Sequence, residues 1–293
     1  MKNLNLFITG SSGFVGKNLT EYFGDKYTLF TPSHSELELL DEHAVSDYIK
    51  KNDIDLIIHC ANVGATRKTD KFPQIVGNNL RMFLNLARHS IQLKKMIFFG
   101  SGAEFNKSDN LAKVTEDYQS QSLPSSDYGL SKYLCSHFIN HYDNIINLRM
   151  FGVYGKHDDY ENRFVSNAVC RAVLGLPIII YQNAVIDFIF VDDLLKIVEH
   201  FVNNNSDQKF YNIGTGNPFS ILEIAELIKK ISGKNIDIIV KEPGLAPEYT
   251  CNISRLASEI DDFKFTSMEK SLSEMYKWYN ENKACISVEK FEI

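Results

Sequence analysis

Residues 4–16 read LNLFITGSSGFVG: an apolar run of strand length, a loop with three glycines and the start of an amphipathic segment. Such an apolar run is typical of a strand that helices cover on both faces of a parallel sheet. Glycines between the first strand and the first helix of that sheet permit a tight turn and let the backbone approach a pyrophosphate at the helix N-terminus. The loop therefore predicts a dinucleotide site with the cofactor-binding residues Gly10, Ser12, Gly13, Phe14, Val15 and Gly16.

The rest of the first half repeats this alternation of strand and helix. Further strands are predicted over 27–31, 55–60, 95–100 and 145–150, and helices near 14–23, 41–51, 73–91 and 128–142. Asp41 is the predicted N-cap of the second helix, and Pro73 lies near the first turn of the third. The pattern predicts an α/β protein built on a doubly wound (Rossmann) parallel sheet.

The second half of the chain is less regular. Glycine and proline interrupt it in LGLP (174–177), GTGNP (214–218) and EPGLAP (242–247). A chain of 293 residues is long enough for two joined domains. We predict an NAD(P)-binding Rossmann domain over 1–155 plus about 182–205, and a smaller C-terminal α/β substrate lobe over 156–181 and 206–293.

The composition excludes several classes of function. A formal charge of −6 argues against a general affinity for nucleic acid or for an anionic membrane, since both require a basic surface. No apolar run reaches 18 residues, and the opening MKNLNLFITG leads directly into a strand, so we expect a cytoplasmic protein. Five scattered cysteines without C-x-x-C spacing predict neither a disulfide framework nor a metal site.

The end of the second predicted strand bears on the choice of cofactor. Proteins that prefer NAD usually place an acidic residue there to bind the ribose 2′-hydroxyl. Here the chain reads FTPSHSELELLD (30–41), and nothing acidic precedes Glu36. Ser33, His34 and Ser35 offer donors to a 2′-phosphate, which favours NADP, with NAD as the second choice, although no arginine or lysine strengthens the contact.

A tyrosine and a lysine four residues apart can face one substrate from a helix. The pattern occurs three times, as Tyr22/Lys26, Tyr128/Lys132 and Tyr279/Lys283. The second pair opens a predicted helix that follows Ser101, and Ser101 directly follows the strand KMIFFG (95–100) on the ligand side of the sheet. This context selects Ser101, Tyr128 and Lys132 as the predicted catalytic residues.

The chain resembles the extended short-chain dehydrogenase/reductases that act on nucleotide sugars, within the NAD-dependent epimerase/dehydratase family. Matching segments occur in family order: TGSSGFVG (9–16), HCANVG (59–64), NNLRMFLNLA (78–87), YGLSK (128–132), LRMFGVYG (148–155), DFIFVDDL (187–194), YNIGTGNPFSILEIAELI (211–228), NISRL (252–256) and TSMEKSLSEMYKWYNEN (266–282). The resemblance implies that Lys132 also holds the nicotinamide ribose and that Cys60, Ala61, Asn62 and Asn79 belong to the cofactor site. It also implies a homodimer formed through the helices near 73–91 and 128–142.

The chemistry follows from the residue types. A free phenol has a pKa of about 10 and is protonated at neutral pH. An ammonium about 4 Å away would stabilise the phenolate by roughly 4 kcal/mol at an effective dielectric constant of 20. Tyr128 can then exchange a proton with a sugar oxygen as hydride moves to or from the nicotinamide, while Ser101 stabilises the charge on that oxygen.

Departures from the family pattern limit the reactions that we expect the chain to catalyse. Dehydratases that resemble this chain carry an Asp-Glu pair after the position of Ser101, where this chain has Gly102 and Ala103. The nearest resemblance is to GDP-fucose synthase-like and dTDP- or CDP-4-keto-6-deoxysugar reductases. Epimerising members use a cysteine and a histidine at positions that match Ala103 and Phe164, which cannot transfer a proton. The sequence therefore predicts reduction of a C4 ketone with NADPH, without epimerisation at C3 or C5.

The predicted substrate is a nucleotide sugar bound in the second lobe. The substrate-binding residues implied by the resemblance are Ala103, Arg163, Phe164, Asn212 and Arg255, the last as the diphosphate ligand. Gly152 and Ile186 replace the Asn and Arg usual in the family, so the diphosphate contacts must differ. The acidic stretch KHDDYEN (156–162) is interpreted as a solvated loop rather than a metal site.

Two alternatives remain open. The first is an NAD-dependent nucleotide-sugar C4 epimerase or dehydrogenase. The second, from another class, is a non-catalytic NAD(P)-binding module. The intact set of Ser101, Tyr128 and Lys132 argues against the non-catalytic module.

Overall fold

The computed structural model describes residues 4–64 and 73–291. Within them the strands are β1 (Asn5–Thr9), β2 (Thr28–Phe30), β3 (Leu56–His59), β4 (Lys95–Ser101), β5 (Leu111–Val114), β6 (Ile145–Met150), β7 (Gly152–Tyr154), β8 (Ile178–Asn183), β9 (Val185–Ile186), β10 (Phe188–Phe190), β11 (Phe210–Ile213), β12 (Phe219–Ser220), β13 (Ile238–Leu245) and β14 (Tyr249–Cys251). The α-helices are α1 (Phe14–Phe23), α2 (Glu42–Lys51), α3 (Ile75–Ala87), α4 (Asp127–Ile139), α5 (Phe164–Leu174), α6 (Val191–Asn203), α7 (Ile221–Ser232), α8 (Ser254–Glu259) and α9 (Met268–Glu281).

A six-stranded parallel sheet in the order β11-β6-β4-β3-β1-β2 forms the centre of the molecule. This confirms the predicted parallel sheet. β1 pairs with β2 on one side and with β3 on the other, so the direction of winding reverses at β1. Ligands of such sheets bind in the crevice at the carboxyl ends of the strands beside this reversal.

Alternating side chains of the central strands pack against helices on both faces. Leu6 and Ile8 of β1 belong to a buried cluster with residues of α1 and α6. Phe7, between them, points to the opposite face and packs in a cluster with residues of α2, α3 and α4. The sheet is therefore doubly wound, as predicted.

Local sequence signals explain where several helices begin. The Asp41 carboxylate accepts hydrogen bonds from the backbone N–H groups of His43 and Ala44, so the predicted N-cap of α2 is confirmed. Ser126 caps α4 by accepting from the N–H of Gly129 at 3.1 Å. α3 is shorter than predicted because it begins at Ile75, after Gln74 in a left-handed conformation (φ 62°).

A second apolar cluster lies in the C-terminal half, where α5, α7 and α9 pack together with β8. A small sheet of order β12-β9-β14-β5 lies beside it. The predicted division at residue 206 places Phe210–Ile213 in the second lobe. In the structure this strand instead pairs with β6 and completes the central sheet. The other domain boundaries stay a prediction.

The described helices include none with the length and apolarity that crossing a bilayer would require. Within residues 4–64 and 73–291, no cluster of three or more histidine, cysteine, aspartate or glutamate side chains could hold a metal ion.

Candidate active site

The glycine loop, residues 10–16, has a backbone conformation that requires glycine at two positions. Gly10 has a φ of +67°, and a Cβ atom there would lie 2.8 Å from the backbone of Ala61. A Cβ atom on Gly16 would lie 2.1 Å from the carbonyl oxygen of Gly10. The loop closes through a 3.0 Å hydrogen bond from the Gly13 N–H to the same carbonyl. Larger residues at positions 10 and 16 would therefore separate β1 and α1 from their neighbours.

The N-terminus of α1 fits a pyrophosphate. The helix starts at Phe14 after Gly13, without a capping side chain and without an acidic residue in its first turn. The first N–H groups of an α-helix have no partner within the helix, and the helix dipole favours an anion there. The first turn of α1 therefore supplies backbone donors without a carboxylate of its own.

Two cavities meet at the loop. One, of about 430 Å³, reaches from the loop to Ser101 and Tyr128. The other, of about 450 Å³, reaches over the end of β2. They share the lining residues Gly10, Ser12, Ala61 and Asn62. Two adjoining cavities in this arrangement suit an extended dinucleotide, whose two halves would lie on either side of the glycines.

Predicted cofactor residues line these cavities to different extents. The first cavity is lined by Gly10, Ser12, Gly13, Phe14, Val15, Gly16, Cys60, Ala61 and Asn62. Ser33 and His34 line the second, whereas Ser35 does not and instead bonds through its hydroxyl to that of Ser33 at 3.0 Å. Asn79 is buried and binds the backbone N–H and carbonyl of Val63 at 2.7 and 2.8 Å. Asn79 therefore holds the loop after β3 in place.

The Glu38 side chain lines the cavity at the end of β2, and Glu36 bonds to Ser33 of its lining. Both the N–H and the hydroxyl of Ser33 donate to the Glu36 carboxylate at 2.8 Å, and these bonds lower the pKa of Glu36. His34 lies 3.3 Å from a carboxylate oxygen of Glu38. None of the described residues that line this cavity is an arginine or a lysine. A 2′-phosphate would therefore depend on Ser33, His34 and backbone groups.

The three predicted catalytic residues converge where β4 meets α4. Ser101 is the last residue of β4, Tyr128 is the second residue of α4, and both line the first cavity. Lys132 is buried beneath them, 3% exposed, and its ammonium donates to the carbonyl of Phe99 at 2.6 Å. The ammonium nitrogen is 5.7 Å from the centroid of the Tyr128 ring.

The buried ammonium also affects neighbouring groups. Burial, together with the charge of Lys132, lowers the pKa of His59 to about 3. His59 is therefore neutral, and its Nδ1 lies 2.7 Å from the hydroxyl oxygen of Thr9. His59 thus adds no positive charge to this region at neutral pH.

A buried ion pair lies directly behind Ser101. Glu104 accepts the N–H of Ser101 at 3.1 Å and the Nε–H of Arg149 at 2.7 Å. Arg149 also donates to the carbonyl of Glu116 at 2.8 Å and to the hydroxyl of Ser136 at 3.0 Å. The Ser101 hydroxyl oxygen accepts the N–H of Ala103 at 3.1 Å. These bonds determine the position of Ser101 at the edge of the sheet.

The other two Tyr-x-x-x-Lys pairs do not contribute their tyrosines to this cavity. Tyr22 and Lys26 both donate to the carboxylate of Glu199, at 2.6 and 2.8 Å. Tyr279 is buried in the C-terminal apolar cluster. Of the three tyrosines, Tyr128 is the one that lines the cavity beside the glycine loop.

The predicted substrate residues are not brought together. Arg163 lines the first cavity, whereas Phe164 begins α5 and packs against the C-terminal cluster. Asn212 is fully buried in β11, with its side-chain amide on the carbonyl of Val114 at 2.9 Å. Ala103 is buried below Ser101.

Arg255 is already engaged by other residues. Its guanidinium donates to the Asp117 carboxylate at 2.8 Å and to the carbonyl of Phe210 at 3.1 Å. A further nitrogen lies 3.8 Å from Glu116. Arg255 as a diphosphate ligand stays a prediction, and it requires the diphosphate to compete with Asp117.

Asp158 was missed by the sequence analysis, and for this residue the interpretation of 156–162 as a solvated loop is wrong. Its side chain is 5% exposed and lines the first cavity. It accepts the hydroxyl of Ser166 at 2.6 Å and the N–H of Asp159 at 2.9 Å. Burial raises the pKa of Asp158 to about 6, while Arg163 opposes the rise. No periodicity in KHDDYEN distinguishes this aspartate from its neighbours.

The chain matches one family model and has relatives among curated proteins. The family model described as NAD dependent epimerase/dehydratase family matches residues 6–214. GDP-L-colitose synthase of Yersinia pseudotuberculosis is 27% identical over 256 residues, which cover 78% of this chain and 82% of that protein. GDP-L-fucose synthase of Escherichia coli is 26% identical, covering 96% of this chain and 98% of that protein.

The fold of the chain is also similar to that of a solved structure. GDP-mannoheptose C4 reductase from Campylobacter jejuni, with NADP bound, has a TM-score of 0.80 to this chain. The sequences are 21% identical, and the match covers 95% of this chain and 99% of that one. At this identity the likeness shows that the two chains share a fold.

Proposed function

Because the chain belongs to the NAD dependent epimerase/dehydratase family, we propose that it is an NADPH-dependent reductase of the C4 ketone of a nucleotide-linked 4-keto-(deoxy)sugar. The observation that carries the proposal is the convergence of Ser101 and Tyr128 on one cavity with the glycine loop. Its relatives, named as GDP-colitose and GDP-fucose synthases, support a nucleotide sugar as substrate.

The residues of the chain have distinct tasks in this reaction. NADPH, when bound along the glycine loop, supplies the hydride. Tyr128 donates its proton to the ketone oxygen, and the Ser101 hydroxyl hydrogen-bonds the same oxygen as negative charge develops on it. The buried Lys132 ammonium stabilises the phenolate that remains, because a cation in a region of low dielectric acts strongly on a nearby anion.

The residues after Ser101 favour reduction over elimination of water. Elimination requires an acid for the leaving hydroxyl and a base for the neighbouring C–H proton. Gly102 has no side chain, and Ala103 is buried with its N–H on Ser101. Neither position supplies a carboxyl group.

The test is a panel of 4-keto nucleotide sugars that differ in base and sugar, each incubated with NADPH. We expect loss of NADPH absorbance in proportion to a reduced product for at least one of them. Turnover of a 4-hydroxy nucleotide sugar to its C4 epimer with NAD, and none of any 4-keto substrate, would instead identify the epimerase alternative. Absence of both activities would leave the non-catalytic module.

We predict a preference for NADPH of roughly tenfold in kcat/KM, equivalent to about 1.4 kcal/mol. No acidic residue occupies 31–35, but Glu36 and Glu38 lie close by and limit the gain from Ser33 and His34. Steady-state kinetics with each cofactor measure the preference, and His34→Asp should shift it toward NADH. A higher kcat/KM with NADH in the unmodified protein would contradict the prediction.

We also predict that C3 and C5 of the substrate keep their protons. Ala103 and Phe164 cannot transfer a proton, so the acidic C–H bonds beside the ketone have no base at these positions. Reaction in D₂O, followed by mass spectrometry and NMR, should give no deuterium at C3 or C5 beyond an enzyme-free control. Deuterium there would contradict the prediction, and Asp158→Asn would then show whether the buried Asp158 carboxyl is responsible.

We predict a homodimer through the exposed faces of α3 and α4. Tyr133 and Phe138 of α4 are large, 37% and 36% exposed, whereas Phe83 of α3 packs in a buried cluster with residues of the sheet and Ile75 is buried. We expect Phe138→Glu to shift the mass measured by light scattering from dimer to monomer, because a charge would be buried at the interface. The exposed Val288→Glu is the matched control. A monomeric mass for the unmodified protein at micromolar concentration would contradict this prediction.

A further inference from the structure

The loop of residues 156–163, between β7 and α5, forms part of the wall of the cavity that contains Ser101 and Tyr128. Its lining residues are Asp158, Asp159 and Arg163. Within the loop, the N–H of Arg163 donates to the carbonyl of Asp159 at 2.9 Å, and the N–H of Tyr160 donates to that of Asp158 at 2.9 Å. These local bonds fold the loop, whereas contacts with other segments fix its position on the protein.

The first part of this loop is held by two helices. The His157 imidazole lies 2.8 Å from the carboxylate of Glu21 in α1. The same ring meets that of Trp278 in α9 edge to face, with centroids 5.2 Å apart. Residue 157 therefore has partners in regular secondary structure.

The second part of the loop is held by a segment that follows α9. Residues Val288–Phe291 form a single 3₁₀ turn. The ring of Phe291, 3% exposed, stacks on that of Tyr160 with centroids 5.7 Å apart and planes 14° apart. The Tyr160 hydroxyl accepts the N–H of Ser287 at 3.3 Å. The segment 287–291 thus contacts both the ring and the hydroxyl of this tyrosine.

An ion pair adds a further contact between the two segments. The Lys290 ammonium pairs with the carboxylate of Glu161, and the two side chains are 49% and 24% exposed. An exposed pair contributes little to the stability of a fold. Its position, beside the stacked rings, nevertheless joins the segment to two consecutive residues of the loop.

The segment is itself anchored to α5. The guanidinium of Arg171 donates to the carbonyl of Phe291 at 3.3 Å, and its carbon lies 5.3 Å from the centroid of the Phe291 ring. Arg171 also donates to the side chain of Asn167 at 2.9 Å. The Asn167 amide in turn donates to the carbonyl of Tyr160 at 2.8 Å. Both stacked residues are therefore bound to the same helix.

The contacts of the segment act close to the cavity. Tyr160 and Glu161 directly follow Asp158 and Asp159, which line it. Because the peptide unit is planar and nearly rigid, a displacement of Tyr160 also displaces Asp159. A ligand that orders a mobile loop loses affinity to the entropy of ordering, and a loop that is already held avoids most of this cost.

We propose that residues 287–291 are a positioning segment, which holds the loop 156–163 so that its cavity-lining residues are in place before the nucleotide sugar binds. The glycine loop obtains its conformation from its own glycines and from Ala61, so cofactor affinity should not depend on this segment. The effect on substrate affinity rests on the proposed reductase function, while the effect on the mobility of the loop does not.

Hydrogen exchange of the protein without ligand, measured by mass spectrometry, tests the mobility of the loop. In Phe291→Ala the backbone amides of residues 160–163 should exchange about tenfold faster, because local opening becomes easier, while β4 and β6 should keep their rates. Val288→Ala is the matched control, since this side chain lies in the same turn but is 58% exposed. It should leave the loop unchanged. Unchanged exchange of the loop in Phe291→Ala, or an equal acceleration throughout the protein, would overturn the proposal.

A charge reversal tests the same contact without disturbing a buried residue. Lys290→Glu places two carboxylates together at a partly exposed position, so the fold should tolerate it while the loop exchanges faster. Adding Glu161→Lys restores opposite charges and should return the exchange of the loop to within about twofold of the unmodified protein. Faster exchange that persists in the reversed pair would contradict the positioning role.

The kinetic readout separates substrate from cofactor. With a keto sugar that the unmodified protein reduces, Phe291→Ala should raise the KM for the sugar about tenfold and leave kcat and the KM for NADPH within about twofold, since the lost binding is common to ground state and transition state. An equal rise in both KM values, or a fall in kcat alone, would overturn the assignment to the substrate. If the unmodified protein reduces no keto sugar, the reductase proposal fails, and hydrogen exchange alone decides whether residues 287–291 hold the loop.

Discussion

Replacing Tyr128 with phenylalanine is expected to lower kcat by a factor on the order of 10² to 10⁴, the usual contribution of a positioned proton donor. The substitution removes one oxygen atom and keeps the ring between the glycine loop and Ser101, so the affinity for NADPH should be unchanged. Lys132→Ala should weaken cofactor binding as well as turnover, because the family resemblance gives this lysine a second task at the nicotinamide ribose. Steady-state kinetics and fluorescence titration with NADPH separate the two effects.

Tyr22→Phe is the control for Tyr128→Phe. Tyr22 has the same spacing to a lysine, but its hydroxyl bonds to Glu199. Turnover should stay within about twofold of the unmodified protein, since a surface substitution usually changes stability by less than about 0.5 kcal/mol. Nearly normal turnover in a folded Tyr128→Phe protein would remove Tyr128 from the mechanism.

Arg149→Met is expected to lower the free energy of unfolding by about 3–5 kcal/mol, the cost of leaving one partner of a buried ion pair unpaired. Glu104 and Arg149 both lie beneath the surface, with side chains 2% and 10% exposed. Methionine would keep part of the packing between the rings of Phe105 and Phe210, which lie 5.0 and 4.6 Å from the guanidinium carbon. The loss is measured by urea denaturation at pH 7.

Two further variants test the origin of this loss. Adding Glu104→Gln to Arg149→Met should recover part of it, because the uncompensated charge is removed while an oxygen remains to accept the Ser101 N–H. Lys230→Met removes an ion pair with Glu269 whose side chains are 73% and 60% exposed, and should change stability by less than about 1 kcal/mol. A loss below about 1 kcal/mol in Arg149→Met would show that the buried pair does not stabilise the fold.

The elements of the central sheet and the convergence of Ser101, Tyr128 and Lys132 could be predicted because their signals are local. The glycine loop joins a strand to the helix that follows it, and Tyr128 and Lys132 are one helical turn apart. Ser101 could be placed beside them because the carboxyl ends of parallel strands lie at one edge of a sheet. Spacing along the chain therefore contains most of the geometry of this part of the site.

Only the tertiary structure revealed the features that result from contacts between segments distant in the sequence. Phe210–Ile213 completes the central sheet beside β6, although its surroundings in sequence suggested the second lobe. Asp158 is buried in the cavity and Arg255 is bound to Asp117, and neither follows from residue type. The Tyr249 hydroxyl lies beside Gly102, although its strand belongs to another sheet. Burial and pairing at such positions result from the packing of whole elements, which no local pattern of residues encodes.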